Sequence, residues 1–165
     1  RLALPSAALG PILDLGCGVG RLTIPIAQAL PAASVYGVDV SPRMVDYAWV
    51  EARKAGVANA AFFVGDGRTV PPFGPITAAF SVLLFQHLPG DAVAGYIAQV
   101  AERLERGGVF VFQYVEGAED VAMSRQRSEA TVRGWCSDAG LAVADVSPGT
   151  VVPFPEWRWV TAVRD

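Results

Sequence analysis

The stretch Asp14-Leu15-Gly16-Cys17-Gly18-Val19-Gly20, entered from the apolar residues Pro11-Ile12-Leu13, decides how this chain is read. Residues 11–15 are short and apolar enough to form a strand buried on both faces. Three glycines at alternate positions follow, and then a helix-like stretch over 21–30. A glycine-rich turn between strand and helix lets the backbone approach a ligand closely. It also aims free N–H groups at the helix start toward an anionic group. The dinucleotide fingerprint G-x-G-x-x-G/A requires a small residue at position 21, and Arg21 stands there. The spacing is instead G-x-G-x-G, with Asp14 two residues before the first glycine. A pyrophosphate-binding turn has no general need for an acid at that point, whereas a ligand carrying an ammonium group does.

Working outward, short apolar runs alternate with longer helical stretches, which is the pattern of βα units around a largely parallel sheet. Pro25 is tolerable only near a first turn, so the first helix starts at about Leu22. Residues 34–38 read as the second strand. Ser41-Pro42 then gives an N-cap and a first-position proline for a helix that stops at Gly56. Residues 60–64 are the third strand and end at Gly65-Asp66-Gly67. Residues 76–84 hold the fourth strand and its exit. Asp91 is placed to cap a helix running to about Leu104 and ending at Gly107-Gly108. Residues 109–115 are the fifth strand, and 117–126 a polar connection. A helix over 128–139 carries Glu129 in its first turn and Gly140 past its end. Residues 141–146 and 157–163 close the chain as two strands. No internal repeat or linker interrupts this order, so residues 1–165 are expected to form one domain.

Bulk composition agrees. The 165 residues are 52% hydrophobic and 18% charged, enough apolar material for a sizeable core and too much for a disordered chain. A net charge of -3 gives no reason to expect nucleic acid, although Arg125 and Arg127 make a small basic patch. Cys17 and Cys136 show neither a disulfide framework nor a metal-ligand spacing, and read as buried thiols. No metal is expected. No apolar stretch approaches the roughly 20 residues that span a bilayer, and the residues given show no basic-then-apolar leader with a cleavage site. The expectation is a cytoplasmic protein with no membrane partner.

The segment 14–20 resembles the first motif of the class I S-adenosylmethionine-dependent methyltransferases, acid-x-Gly-x-Gly-x-Gly. Further positions agree with that family in order: Asp39 ends the second strand and Asp66 the third. Phe85-Gln86-His87-Leu88-Pro89 is similar to its "x-H-L-P" segment, and Leu104-Glu105-Arg106-Gly107-Gly108 to its "L-x-x-G-G" turn. The resemblance covers residues 10–165 and implies a Rossmann-like α/β fold. That fold has a seven-stranded, mostly parallel sheet in the order 3-2-1-4-5-7-6, strand 7 antiparallel, with helices on both faces. It implies S-adenosylmethionine as cofactor, its tail met by Asp14, Gly16, Gly18 and Gly20. Asp39 would meet the ribose hydroxyls, Asp66 with Gly67 the adenine amino group, and Met44 the adenine face.

Methyl transfer from a sulfonium is an in-line displacement whose chemistry belongs mostly to the cofactor. A base helps only when the acceptor must lose a proton. His87, the only histidine, lies beyond the fourth strand and is one candidate; Glu116, at the exit of strand five beside Tyr114, is the second. The expected acceptor is a small molecule methylated on oxygen or nitrogen.

The chain also departs from the family pattern. The fourth strand usually opens with an acid, and here Gly74-Pro75-Ile76 stands in its place. Related enzymes carry closing helices ahead of the first strand, whereas ten residues precede Pro11. The expectation is therefore a lid segment missing from this sequence, a partner or second copy that supplies the cover, or a large acceptor on an open cleft. A cofactor-binding module without its own catalysis is the alternative. A nicotinamide-dependent oxidoreductase is disfavoured by Arg21 and by the lack of a Tyr-x-x-x-Lys pair, Lys54 being the only lysine.

Overall fold

Ile12–Leu15, the strand ahead of the glycine turn, is β1, and all four of its residues are buried at the middle of the sheet. The computed structural model describes residues 10–117, 124–149 and 156–165. In chain order the further elements are α1 (Thr23–Ala29), β2 (Val35–Asp39), α2 (Pro42–Lys54), β3 (Ala60–Val64) and β4 (Ile76–Ser81). A 3-10 turn (Phe85–His87), α3 (Gly90–Arg103), β5 (Leu104–Glu116) and β6 (Gln126–Arg127) follow. The chain closes with α4 (Glu129–Asp138), β7 (Leu141–Pro148) and β8 (Trp157–Arg164).

The sheet runs β3-β2-β1-β4-β5-β8-β7. Every pairing from β3 to β5 is parallel, and β8 is antiparallel to both β5 and β7. This is the expected order, with the last two strands renumbered because β6 precedes them. β6 is an eighth strand that starts at the end of the polar connection expected over 117–126. Its two residues lie parallel to Val115 and Glu116, off the main path. A pair of residues leaves no periodicity to detect. Part of that connection, 118–123, lies outside the described residues.

Alternation along the central strands feeds two cores. Leu13, Leu15, Phe110 and Phe112 pack under Ile97 and Val100 of α3 and Val132 of α4. Ile12, Val35 and Phe80 pack on the other face under Ala27 of α1 and Val45 and Ala48 of α2. Each such large side chain contributes on the order of 1.5–3 kcal/mol by leaving water. Trp49 meets Phe62 edge-on at 5.5 Å and donates from Nε1 to the Phe62 carbonyl at 3.2 Å, tying α2 to edge strand β3.

Helix ends largely follow local chemistry. The Ser41 Oγ accepts from the Met44 N–H at 3.4 Å, with Pro42 opening α2 as expected. The Ser128 Oγ accepts from the Thr131 N–H at 3.1 Å at the start of α4. Two boundaries differ from expectation. Asp91 sits inside the first turn of α3 and does not cap it; the capping position is Pro89. The same helix stops at Arg103, and Leu104 already pairs with Ile76 in β4. The Arg164 guanidinium donates to the Glu102 and Leu104 carbonyls, satisfying the helix end that a glycine was expected to terminate. Gly107, at φ +75°, then lies within β5, whose register to β4 shifts between Ile76 and Ala78.

Candidate functional site

Chain direction across the sheet reverses between β1 and β4: β1 leads to β2 on one side, and β4 leads to β5 on the other. In open α/β sheets the crevice beyond the strand ends at this switch point is where ligands bind. The Ser81 Oγ donates to the Leu15 carbonyl at 2.9 Å, joining β4 to β1 at the mouth of that crevice. The glycine turn is laced down beside it. The N–H groups of Gly16 and Cys17 donate to the Val38 carbonyl at 2.8 and 3.0 Å, and the Gly20 N–H donates to the Cys17 carbonyl at 2.9 Å. Gly16 and Gly18 hold φ of +82° and +53°, a region where an L side chain costs roughly 1–2 kcal/mol.

Two depressions flank the turn. The first is lined by Asp14, Gly16, Cys17, Gly18, Val19, Arg21, Leu22, Val82 and Leu83. The second is lined by Leu15, Gly16, Val38, Asp39, Val40, Gly65, Gly67, Leu84, Leu88 and Tyr96. They share Gly16, so together they make one cleft divided by the turn.

Asp14 and Asp39 stand on either side of it. Asp14 is buried beneath the turn, and the Thr23 hydroxyl of α1 donates to its Oδ2 at 2.5 Å. Burial pushes its carboxyl up to about 7, against the pull of the Thr23 hydroxyl and N–H; the nearby Asp39 adds a smaller upward push. Burial, with Asp14 and Asp39 next in effect, also raises the Cys17 thiol and keeps it protonated. Asp39 ends β2 with both oxygens engaged: Oδ2 accepts from the Gly18 N–H and Oδ1 from the Ser41 N–H, each at 2.9 Å. This carboxylate therefore holds the turn and the start of α2 together.

The remaining expected site residues fall at various distances from the cleft. Gly67 lines the second depression, while Asp66 beside it is exposed and turned onto its own loop. Its Oδ1 accepts from the N–H groups of Thr69 and Arg68 at 2.7 and 2.8 Å, and its Oδ2 from the Thr69 hydroxyl at 2.8 Å. Those donors hold its carboxyl down at about 2. Met44 is exposed on the first turn of α2 and lines neither depression. His87 is exposed on the 3-10 turn, two residues before Pro89, and also lines neither. Glu116 pairs with the Arg158 guanidinium at 2.5 Å across β5 and β8. Tyr114 is buried, and burial, with Glu116 next, pushes its phenol up to about 12.

Several lining residues escaped the sequence reading. Leu83 is the only described non-glycine residue with positive φ, +61°, and is 41% exposed inside the cleft. Such a backbone is strained for leucine, and strain of this kind gathers at functional sites. Nothing in its letter code signals it. Val40 lines the second depression and adjoins Asp39, so its place follows from its position in the chain. Tyr96 lines the cleft from α3, a placement only the tertiary fold produces.

Residues 12–108 match a family model described as a methyltransferase domain. The chain is 30% identical over 160 residues to trans-aconitate 2-methyltransferase of Methylobacterium nodulans, an alignment covering 96% of this chain and 58% of that protein. It is 34% identical over 106 residues to an aklanonic acid methyltransferase of Streptomyces, covering 61% of this chain and 46% of the relative. The chain thus spans about half the length of these curated relatives. Among solved structures, magnesium protoporphyrin IX methyltransferase of Synechocystis PCC 6803 with bound SAM superposes with a TM-score of 0.78. That match is at 28% identity over 93% of this chain and 69% of that one. The model match covers the central sheet from β1 into β5, including the glycine turn and both cleft carboxylates, and on that ground the chain belongs to the methyltransferase domain family.

Proposed function

We propose that this chain is the cofactor-binding domain of an S-adenosylmethionine-dependent methyltransferase that methylates an oxygen or nitrogen of a small molecule. The observation that carries the reading is the hydrogen bond from the Gly18 N–H to Asp39, which fixes a carboxylate at the end of β2 against the turn after β1. Trans-aconitate and magnesium protoporphyrin, named for two of the similar proteins, are both small molecules.

The residues present suit such a cofactor. A Cβ built on Gly18 would meet no heavy atom within 4 Å, so that face of the turn is open. The polar lining offers a buried acid for an ammonium group and a carboxylate suited to a diol, with apolar Val40, Leu84 and Leu88 for a base. Asp14 with Gly16, Gly18 and Gly20 would hold the amino-acid tail, Asp39 the ribose, and Gly67 the adenine side.

When bound, the cofactor supplies an electrophilic methyl group on a sulfonium. The work of the chain is to hold donor and acceptor in line with reacting atoms about 3–3.5 Å apart, and to keep water away. Val82 and Leu83, the apolar wall at the exit of β4, serve the second task. His87 follows that wall and takes the proton-accepting role when the acceptor carries a proton. Glu116, held by Arg158, is the second candidate.

Incubation with S-adenosylmethionine and an acceptor panel, read by mass spectrometry for products heavier by one methylene, tests the reaction. The second reading is a module that binds cofactor without turnover. It is favoured by one observation: neither His87 nor Glu116 lines the cleft. It predicts cofactor binding and no product from any acceptor.

A further inference from the structure

Among the described residues, Arg21 is the one basic side chain lining either depression of the cleft. It follows Gly20 directly, is exposed, and its guanidinium has no hydrogen bond or ion pair among the described residues. Arg127 and Arg158 line neither depression and are engaged elsewhere: Arg127 donates to the carbonyls of Gln126 and Leu88, and Arg158 pairs with Glu116. Arg21 shares its depression with Asp14, so this half of the cleft carries one acid and one permanent cation. An acid beside a fixed cation complements a zwitterion.

We infer that Arg21 receives the terminal carboxylate of the cofactor's amino-acid tail while Asp14 faces its ammonium group. This rests on the proposed function and adds a positioning residue to it. A guanidinium suits a carboxylate because its planar fork can donate two parallel hydrogen bonds, and it stays charged at any working pH. In this role Arg21 fixes the direction of the tail and hence of the sulfur at its other end. The interaction is exposed, so salt weakens it.

The test uses two thioethers in calorimetric titrations of the full chain: S-adenosylhomocysteine and its decarboxylated analogue, which keeps the amine. Wild type is expected to bind the first about tenfold more tightly than the second, with the gap narrowing as salt is raised. Arg21→Gln is expected to lose that preference while its affinity for the decarboxylated compound stays unchanged; Arg21→Lys should retain part of it. Equal loss for both ligands would assign Arg21 a structural role and overturn the inference. So would unchanged affinity for both, which would direct Arg21 toward the acceptor, as a raised acceptor KM would then show. If wild type bound neither thioether, the proposed function itself would fall and this inference with it, a result distinct from every variant-specific outcome.

Discussion

The Asp39 carboxylate accepts a hydrogen bond from the backbone N–H of Gly18, 21 residues earlier in the chain, at 2.9 Å. The loop that follows β1 and the acid that ends β2 are thereby fixed as one unit before any ligand arrives. Preorganisation of this kind lowers the ordering cost of binding.

Two of the turn glycines, Gly16 and Gly18, should separate stability from binding. A Cβ at Gly18 meets only open space, so Gly18→Ala should cost stability only the roughly 1–2 kcal/mol of its positive φ while obstructing the ligand face. A Cβ at Gly16 would come within 3.1 Å of the Leu84 side chain, so Gly16→Ala adds a packing cost to the same backbone strain. Thermal melts should rank Gly16→Ala as the less stable variant. Titration with S-adenosylhomocysteine should show affinity lost in Gly18→Ala although it remains folded.

Asp14 gives a pH dependence whose sign is fixed. Its carboxyl titrates near 7 in the fold and near 3.8 when unfolded, so between those values the folded chain binds the extra proton. Its contribution to stability is therefore full below about 3.8 and is lost as pH rises toward 7. Ammonium binding runs the other way, because it needs the ionised acid. Affinity for S-adenosylhomocysteine should rise from pH 6 to pH 8 with proton release, and Asp14→Asn should flatten that profile. Calorimetry in buffers of different ionisation enthalpy measures both; a wild-type affinity that is flat over this range would contradict the assignment.

Much of this site was legible before the structure. Asp14 and the alternating glycines fixed the turn, and Ser41-Pro42 with Gly56 fixed the helix that Asp39 adjoins, because capping and positive-φ chemistry are local. Local rules failed where tertiary contacts decide. Leu104 left its helix because Ile76 pairs with it and Arg164 satisfies the helix end. Leu83 carries a glycine-like backbone at the exit of β4, and Tyr96 enters the cleft from α3, neither of which a one-dimensional pattern records. Asp66 is expected on the adenine amino group, whereas its oxygens serve its own loop, accepting from the N–H groups of Arg68 and Thr69.

His87 should reveal itself kinetically. His87→Ala is expected to lower kcat by about 10²-fold or more on an acceptor that must lose a proton. Its affinity for S-adenosylhomocysteine should be unchanged, since the residue lines neither depression. Steady-state rates at saturating cofactor across pH 6 to 9 give the answer. An unaltered kcat would pass the role to Glu116 or remove the need for a base.

The most direct test of the whole account is titration of S-adenosylhomocysteine into the wild-type chain and into Asp39→Ala, each first shown to be folded by circular dichroism. Wild type is expected to give a saturable one-to-one isotherm, and the variant an affinity at least about tenfold weaker, because it loses both the ribose partner and the anchor of Gly18. A folded wild-type chain that gives no binding heat at millimolar ligand, or an Asp39→Ala variant that binds as tightly as wild type, would contradict it.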